Sequence, residues 1–244
     1  RLFHWLIRRI APAVHQKKVI LGTETIAMQL ALSQATGVPF TYLPHPVNAL
    51  PDAPETSERP ASIHFGCYGA ARYEKGSDLL QQAIEMHLDS HPDTTSTFSI
   101  QWLQNFTAPD GRVISPSKRL LEDPRVTFID HYFGEGEYDK QIQKTDIMLL
   151  PYRSPYRYRV SRVVIEAMVN GLPVVASRGT TLWDQASTLG AAIPCEMDDP
   201  GSLATTIATA ENNWTKLKSD ALLKMTQSRN HFSVEEFATS VFPD

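Results

Sequence analysis

The chain has 244 residues, 42% of them apolar, which is enough for a hydrophobic core in one large domain or about one and a half of ordinary size. Its 23 basic and 27 acidic residues give a net charge of −4. This charge argues against a general electrostatic attraction of the protein to nucleic acid. Cys67 and Cys195 lie in apolar, strand-like runs, so we predict buried free thiols rather than a disulfide.

The first ten residues, RLFHWLIRRI, predict a short amphipathic helix whose polar face carries Arg8 and Arg9. The segment is too short to cross a bilayer and lacks the cleavage site of a signal peptide. We therefore expect a packed helix in a cytoplasmic protein, with peripheral membrane contact of the full-length protein as the alternative. The chain starts with Arg rather than Met, so we also expect that it is a fragment.

Residues 17–37, KKVILGTETIAMQLALSQATG, predict a strand at 19–21, a turn and a helix that ends near Gly37. We interpret residues 1–43 as a helix-strand-helix remnant of an N-terminal domain. Residues 44–60 contain five prolines and show no apolar periodicity, which is typical of a linker between domains.

From residue 61 onward, short apolar runs alternate with segments of helical periodicity. The runs are SIHFGCYGA, STFSIQWL, RVTFID, DIMLLPY, VVAS and GAAIPC. This pattern predicts the α/β class, with a Rossmann-like parallel sheet and helices on both faces. We assign the domain to residues 61–219 and the C-terminal helices to 220–244. A sheet of this kind binds its ligands beyond the carboxyl ends of the strands, so the residues that follow the strands are the functional candidates.

The first candidate site is the segment GAARYEKGSDLL, which follows a predicted strand. It contains Gly69, Arg72 and Lys75 just before a helix that starts near Ser77. Helix N-terminal N–H groups with an arginine and a lysine favour a phosphate or another anion. The glycine spacing fits neither the dinucleotide fingerprint nor a P-loop. The alternative is a solvated loop in which Glu74 pairs with Lys75.

The second candidate site is IDHYFGEGEY, where His131 and Tyr132 could stack on a base. The alternative is a loop whose aromatic rings only cover the core.

The third candidate site is LLPYRSPYRYRVSRVVIEAM, in which arginine and tyrosine alternate. Such a loop suits a phosphorylated small molecule or an acidic acceptor better than single-stranded nucleic acid, because the cluster is confined to one loop of an acidic protein. Ser161 is placed to cap the next helix or to contact a phosphate oxygen. Glu166 is a lone acid on that apolar helix, and its two oxygens match two vicinal hydroxyls of a ribose. The alternative is a glutamate that pairs with a structural arginine.

A metal site is not predicted. His87 and His91 have a spacing that can hold a metal, but Pro92 ends their helix and histidine is generally favoured at a helix C-terminus.

Three segments together resemble a known family. YGAARYEKGSDLLQQAI, DIMLLPY and VIEAMVNGLPVVAS are similar, in order and spacing, to the C-terminal half of group 1 (family 4) glycosyltransferases of the GT-B fold. The resemblance covers roughly residues 60 to 200. It implies that Arg72 and Lys75, after the turn at Gly69, contact the diphosphate of a nucleotide sugar, that Glu166 binds its ribose, and that Ser161 lies under the phosphates.

Two positions depart from the family pattern. Many members carry a second glutamate eight residues before the first, where this chain has Tyr158 next to Arg159, and the usual arginine after the glycine is Ala70. These changes affect the expected sugar contact more than nucleotide binding.

The resemblance implies a glycosyltransferase that binds a nucleotide sugar, transfers the sugar to a glycan or other acceptor, and needs no metal. We expect the chain alone to be inactive because most of the N-terminal domain is missing from it, and we expect its C-terminal helices to cross back to that domain. The alternatives are a nucleotide-sugar epimerase of similar fold and a non-catalytic binding or scaffold domain.

Overall fold

The computed structural model describes residues 2–51 and 58–242. The N-terminal part of the chain forms a small unit of two helices and a two-stranded parallel sheet. Its elements are α1 (Leu2–His15), β1 (Gly22–Thr23), α2 (Ile26–Thr36) and β2 (Thr41–Tyr42). A separate apolar cluster that includes Ile7 and Phe40 holds this unit together.

The strand predicted at 19–21 is misplaced, because the ladder forms at Gly22 and Thr23 instead. Val19 and Ile20 are exposed, and only the carbonyl of Leu21 joins the ladder by accepting from Thr41 N–H. An apolar run forms a strand only where a partner strand is available to pair with it.

The predicted linker contains no helix or strand in the part that the structure describes, and its residues 52–57 lie outside the described residues. Its start is fixed to the C-terminal part of the chain, because Val47 N–H donates to the carbonyl of Phe232 at 2.9 Å. The start of the linker, near Val47, therefore lies beside the last helices.

From His64 onward strands and helices alternate. The elements, in chain order, are β3 (His64–Cys67), α3 (Ser77–Ser90), β4 (Thr97–Gln101), β5 (Phe106–Thr107), β6 (Val113–Ile114), α4 (Lys118–Glu122), β7 (Val126–Ile129), α5 (Glu137–Lys144), β8 (Ile147–Leu150), α6 (Arg162–Val169), β9 (Val174–Ser177), α7 (Thr181–Leu189), β10 (Ala192–Cys195), α8 (Pro200–Asn212), α9 (Trp214–His231) and α10 (Val234–Val241).

Six of these strands form one parallel sheet in the order β7-β4-β3-β8-β9-β10. Both faces of the sheet are covered: along β8, Leu149 belongs to the core cluster that contains Leu80 of α3, and Met148 to the one that contains Ile165 of α6. This explains why β8 is apolar at every position. The predicted α/β fold with a Rossmann-like parallel sheet is confirmed, and both cysteines are buried and free as predicted.

The sheet order places a topological switch point between β3 and β8, since the chain runs outward in opposite directions from these two neighbouring strands. A crevice opens at the carboxyl end of such a strand pair. The loops after β3 and β8 carry the first and third candidate sites, and the second candidate site follows β7 of the same sheet.

The last helices contact the first part of the chain. The Tyr42 hydroxyl lies 3.0 Å from Nε2 of His231, and their rings stack at 5.7 Å. The proposed domain boundaries stay predictions. Among the described residues, no helix is long and apolar enough to cross a membrane.

Candidate functional site at the carboxyl edge of the sheet

The loop after β3 is built around two glycines in the left-handed region, Gly69 (φ 88°) and Gly76 (φ 68°). A Cβ on Gly76 would overlap the carbonyl oxygen of Pro151, at the end of β8, so glycine allows α3 to start close to this strand. A side chain on Gly69 would occupy the position of the Lys75 ammonium. The loop therefore holds Lys75 directly against the backbone of the turn.

The ammonium of Lys75 is half-buried, and no carboxylate of the described residues lies within ion-pair distance of it. Its Nζ lies 5.7 Å from the ring centre of Tyr152, and burial lowers the pKa of Lys75. Leaving a cation half-buried and unpaired is costly, so this arrangement is typical of a site for an anionic ligand.

Arg72 extends into solvent from the same loop, with only a loose contact of 3.9 Å to Glu74. The alternative of a Glu74–Lys75 ion pair is not seen, since the only ion pair of Glu74 among the described residues is with Arg72. Both predicted cations of this loop are thus available to a ligand.

Gln101, the last residue of β4, joins the first two candidate loops and was not predicted. Its Oε1 accepts from Gly69 N–H at 2.7 Å, and its Nε2 donates to the carbonyl of His131 at 3.1 Å. The signal in the sequence was a long polar side chain at the end of a strand that is otherwise mostly buried.

The loop after β7 contains the second candidate site. His131 is exposed, and its Nε2 lies 2.8 Å from Glu137, whose hydrogen bond raises the pKa of His131. Tyr132 is 82% exposed, whereas Phe133 packs against Tyr68 and covers the core. Phe133 therefore covers the core, as the alternative has it, whereas base stacking by His131 and Tyr132 stays a prediction.

The arginines of the third candidate loop do not share one role. Arg153 is buried and donates to Asp78 through both Nη atoms, at 2.7 and 2.9 Å, and to Asp198 through Nε at 2.5 Å. Its guanidinium also stacks on the Tyr73 ring at 3.8 Å and donates to the Tyr73 carbonyl. Arg153 thus ties the loops after β3, β8 and β10 together, and its contacts within the protein leave it little capacity to bind a ligand.

The side chains of Tyr158 and Arg159 are exposed, while their backbone is fixed. The Tyr158 carbonyl accepts from the Thr25 hydroxyl at 2.6 Å, and the Arg159 carbonyl accepts from the Thr181 hydroxyl. Ser161 occupies the N-cap position of α6, is buried, and makes no side-chain capping hydrogen bond.

Glu166 lies one turn inside α6 and is only 7% exposed. Its Oε2 accepts from the Tyr138 hydroxyl at 2.5 Å, and its Oε1 accepts from Nε of Arg162 at 2.7 Å. The pKa of Tyr138 is raised, first by burial and then by the Glu166 carboxylate. Glu166 therefore has an arginine partner, as in the alternative interpretation, and also a tyrosine partner from α5 that the sequence did not indicate.

The sequence matches the model of the family "Glycosyl transferases group 1" over residues 62–213, well over half of the chain. The chain belongs to the group 1 glycosyltransferases. The expected resemblance is thereby confirmed, and the six-stranded sheet corresponds to one half of a GT-B glycosyltransferase. No curated protein matches the sequence significantly.

Solved structures support the same fold for this glycosyltransferase chain. Sucrose-phosphate synthase from Thermosynechococcus elongatus is 16% identical with a TM-score of 0.64, and the match covers 89% of this chain and 55% of that one. HepE from Anabaena, in complex with UDP-glucose, is 17% identical with a TM-score of 0.66, covering 91% and 62%. A glycosyltransferase from Rickettsia africae is 12% identical with a TM-score of 0.68, covering 98% and 68%. The chain thus spans between about half and two-thirds of the length of these structures.

Within the described ranges, no group of three His, Cys, Asp or Glu side chains is placed to hold a metal ion. His87 is buried and stacks on His91 at 4.8 Å.

Proposed function

We propose that this glycosyltransferase chain binds a nucleotide-diphospho sugar at the crevice between β3 and β8. The observation that carries the proposal is the half-buried, unpaired ammonium of Lys75, held against Gly69 at the start of α3. A diphosphate would supply the missing negative charge, and the N-terminal N–H groups of α3 would add hydrogen bonds to it.

Each of the remaining candidate residues is assigned to one part of the nucleotide-sugar donor. Arg72 and Ser161 join Lys75 in contacting the phosphates, and Glu166 binds the ribose hydroxyls. His131 and Tyr132 lie beside the base, on a loop that Gln101 connects to the phosphate loop. Tyr158 and Arg159 face the sugar or the acceptor. The complex of HepE with UDP-glucose supports a ligand of this class, since that protein shares the fold.

In the intact enzyme, we propose, the sugar is transferred to a glycan or another acceptor without a metal ion. Lys75, Arg72 and the α3 N-terminus can stabilise the charge that develops on the leaving diphosphate. We attribute transfer to the intact protein, because the chain covers only 55% and 62% of the synthase and HepE structures.

A thermal-shift screen with UDP-, GDP-, ADP- and dTDP-sugars tests donor binding. A ligand at 100 times its Kd stabilises the folded state by about 2.7 kcal/mol, so we expect a clear rise in melting temperature for one base. No rise with any of the four would contradict the proposal. Turnover by the intact protein that requires an acceptor would distinguish transfer from epimerisation and from a scaffold role.

A further inference from the structure

Both carboxylate oxygens of Glu166 already accept one hydrogen bond from the protein, Oε2 from Tyr138 and Oε1 from Arg162. Each carboxylate oxygen has two acceptor positions, so one remains on each. Two acceptors in a fixed plane match the two vicinal hydroxyls of a ribose. The protein donors thus fix the orientation of the carboxylate and leave the capacity that a ribose requires.

The two donors differ in how firmly they can hold the carboxylate. The Arg162 side chain is 69% exposed and pairs with Glu166 within the same helix, a type of ion pair that contributes little and is screened by salt. The Tyr138 ring, in contrast, is half-buried and packs against Tyr68 at 6.0 Å and Phe133 at 5.5 Å. Tyr138 is therefore the rigid partner of Glu166.

Tyr138 also lies in the first turn of α5, next to a residue that shapes the proposed base loop. The carboxylate of Glu137 contacts His131 at 2.8 Å and accepts from Gly134 N–H at 3.0 Å. One helical turn thus fixes the loop that would border the base and the acid that would bind the ribose.

We propose that Tyr138 is a positioning residue that orients Glu166 for ribose recognition, so that the first turn of α5 organises the whole nucleoside site. This inference rests on the proposed nucleotide-binding function. It assigns ribose selectivity to the phenol of Tyr138 more than to the guanidinium of Arg162.

The test compares ribonucleotide with 2′-deoxyribonucleotide binding by calorimetric titration. The probes are UDP, GDP and ADP, each beside its 2′-deoxy form, and the pair that the parent binds most tightly is used for the variants. Tyr138→Phe removes only the hydroxyl that donates to Glu166. Tyr68→Phe is the matched control, since its hydroxyl lies in the same aromatic cluster but is 2.8 Å from Thr145 instead. A ligand-free melt of each variant verifies folding.

We expect the parent to prefer the ribonucleotide about tenfold or more, the range that a charge-assisted hydrogen bond gives. In Tyr138→Phe the preference should fall to about threefold or less, while Tyr68→Phe and Arg162→Gln keep most of it. An unchanged preference in Tyr138→Phe, or an equal fall in Tyr68→Phe, overturns the positioning role and leaves the proposed function intact. A parent that binds none of the diphosphates overturns the proposed function, and this inference with it.

Discussion

Lys75 is the residue on which the proposed phosphate contact depends most. Its ammonium is half-buried and has no described carboxylate partner, so the Lys75→Met substitution removes a charge whose desolvation is not compensated. We expect the affinity for a nucleoside diphosphate to fall about 10- to 100-fold, with a ligand-free melting temperature equal to or above that of the parent. Lys118→Met, an exposed position on α4, is the control and should change neither value. A lower melting temperature with unchanged affinity would assign Lys75 a structural role.

The lowered pKa of Lys75 predicts a pH dependence of binding. Because burial disfavours the charged form, the free site loses its cation at a lower pH than an exposed lysine, whose pKa is about 10.4. Affinity for the diphosphate should therefore be steady from about pH 8, where the phosphates are ionised, and fall as pH rises through the lowered pKa. Titrations across this range should show the fall in the parent and none in Lys75→Met. A fall of equal size in both proteins would exclude Lys75 as its cause.

Glu166→Gln keeps the shape of the side chain but removes its charge and one acceptor. If Glu166 binds ribose, the affinity for a ribonucleoside diphosphate should fall about 10- to 100-fold, and the 2′-deoxy form should lose less. If the contacts with Arg162 and Tyr138 are only structural, the ligand-free melting temperature should fall while affinity stays close to that of the parent. Calorimetric titration beside a ligand-free melt distinguishes the two results.

At the scale of elements, the start of α3 depends on Gly76. Alanine there would combine a left-handed backbone with overlap of the Pro151 carbonyl, so Gly76→Ala should lose more than about 2 kcal/mol of the free energy of unfolding and weaken nucleotide binding. Gly111 in the β5–β6 turn is the matched control, because its φ is 85° but no atom lies within 4 Å of a Cβ built there. In urea unfolding, Gly111→Ala should lose only the free energy that a left-handed backbone costs a residue with a Cβ, about 1–2 kcal/mol. Equal losses in the two variants would mean that α3 can shift away from β8 without cost.

The strands and helices of the sheet were largely predictable, because apolar runs of four or more residues alternate with helical periodicity. β5 and β6 were not predicted, since two residues are too few to show a period. α7 was also missed: it is a nine-residue helix whose N-cap, Thr180, follows directly on the turn after β9.

The candidate site was predictable in position but not in partners. The rule that ligands bind beyond parallel strands predicted Lys75 and Glu166 at the carboxyl edge of the sheet, where the structure has them. It could not separate Arg153, which is buried in an ion-pair network, from the exposed arginines of the same loop. Nor could it find Tyr138, because the distance from α5 to Glu166 is set by packing between helices that are distant in sequence.

The net charge of the chain is −4, whereas the carboxyl edge of the sheet carries cations. Arg72, Lys75 and Arg159 follow strands of one sheet, so their field is concentrated where a diphosphate would bind. A different crevice also exists, a mainly apolar cavity of about 430 Å³ between α2 and α7 that is lined by Leu30 and Leu189 among others. A nucleotide has little to bind there, because none of the described lining residues is a lysine or an arginine and the Asp184 carboxylate would repel the phosphates.

The proposed donor site is best tested by a crystal structure of the chain with the nucleoside diphosphate that it binds most tightly. We expect phosphate oxygens at about 3 Å from Nζ of Lys75 and ribose hydroxyls within hydrogen-bond distance of Glu166. We also expect the base to lie beside the loop of His131 and Tyr132. A nucleotide bound in the cavity between α2 and α7, or one with its phosphates away from Lys75, would contradict the proposed site.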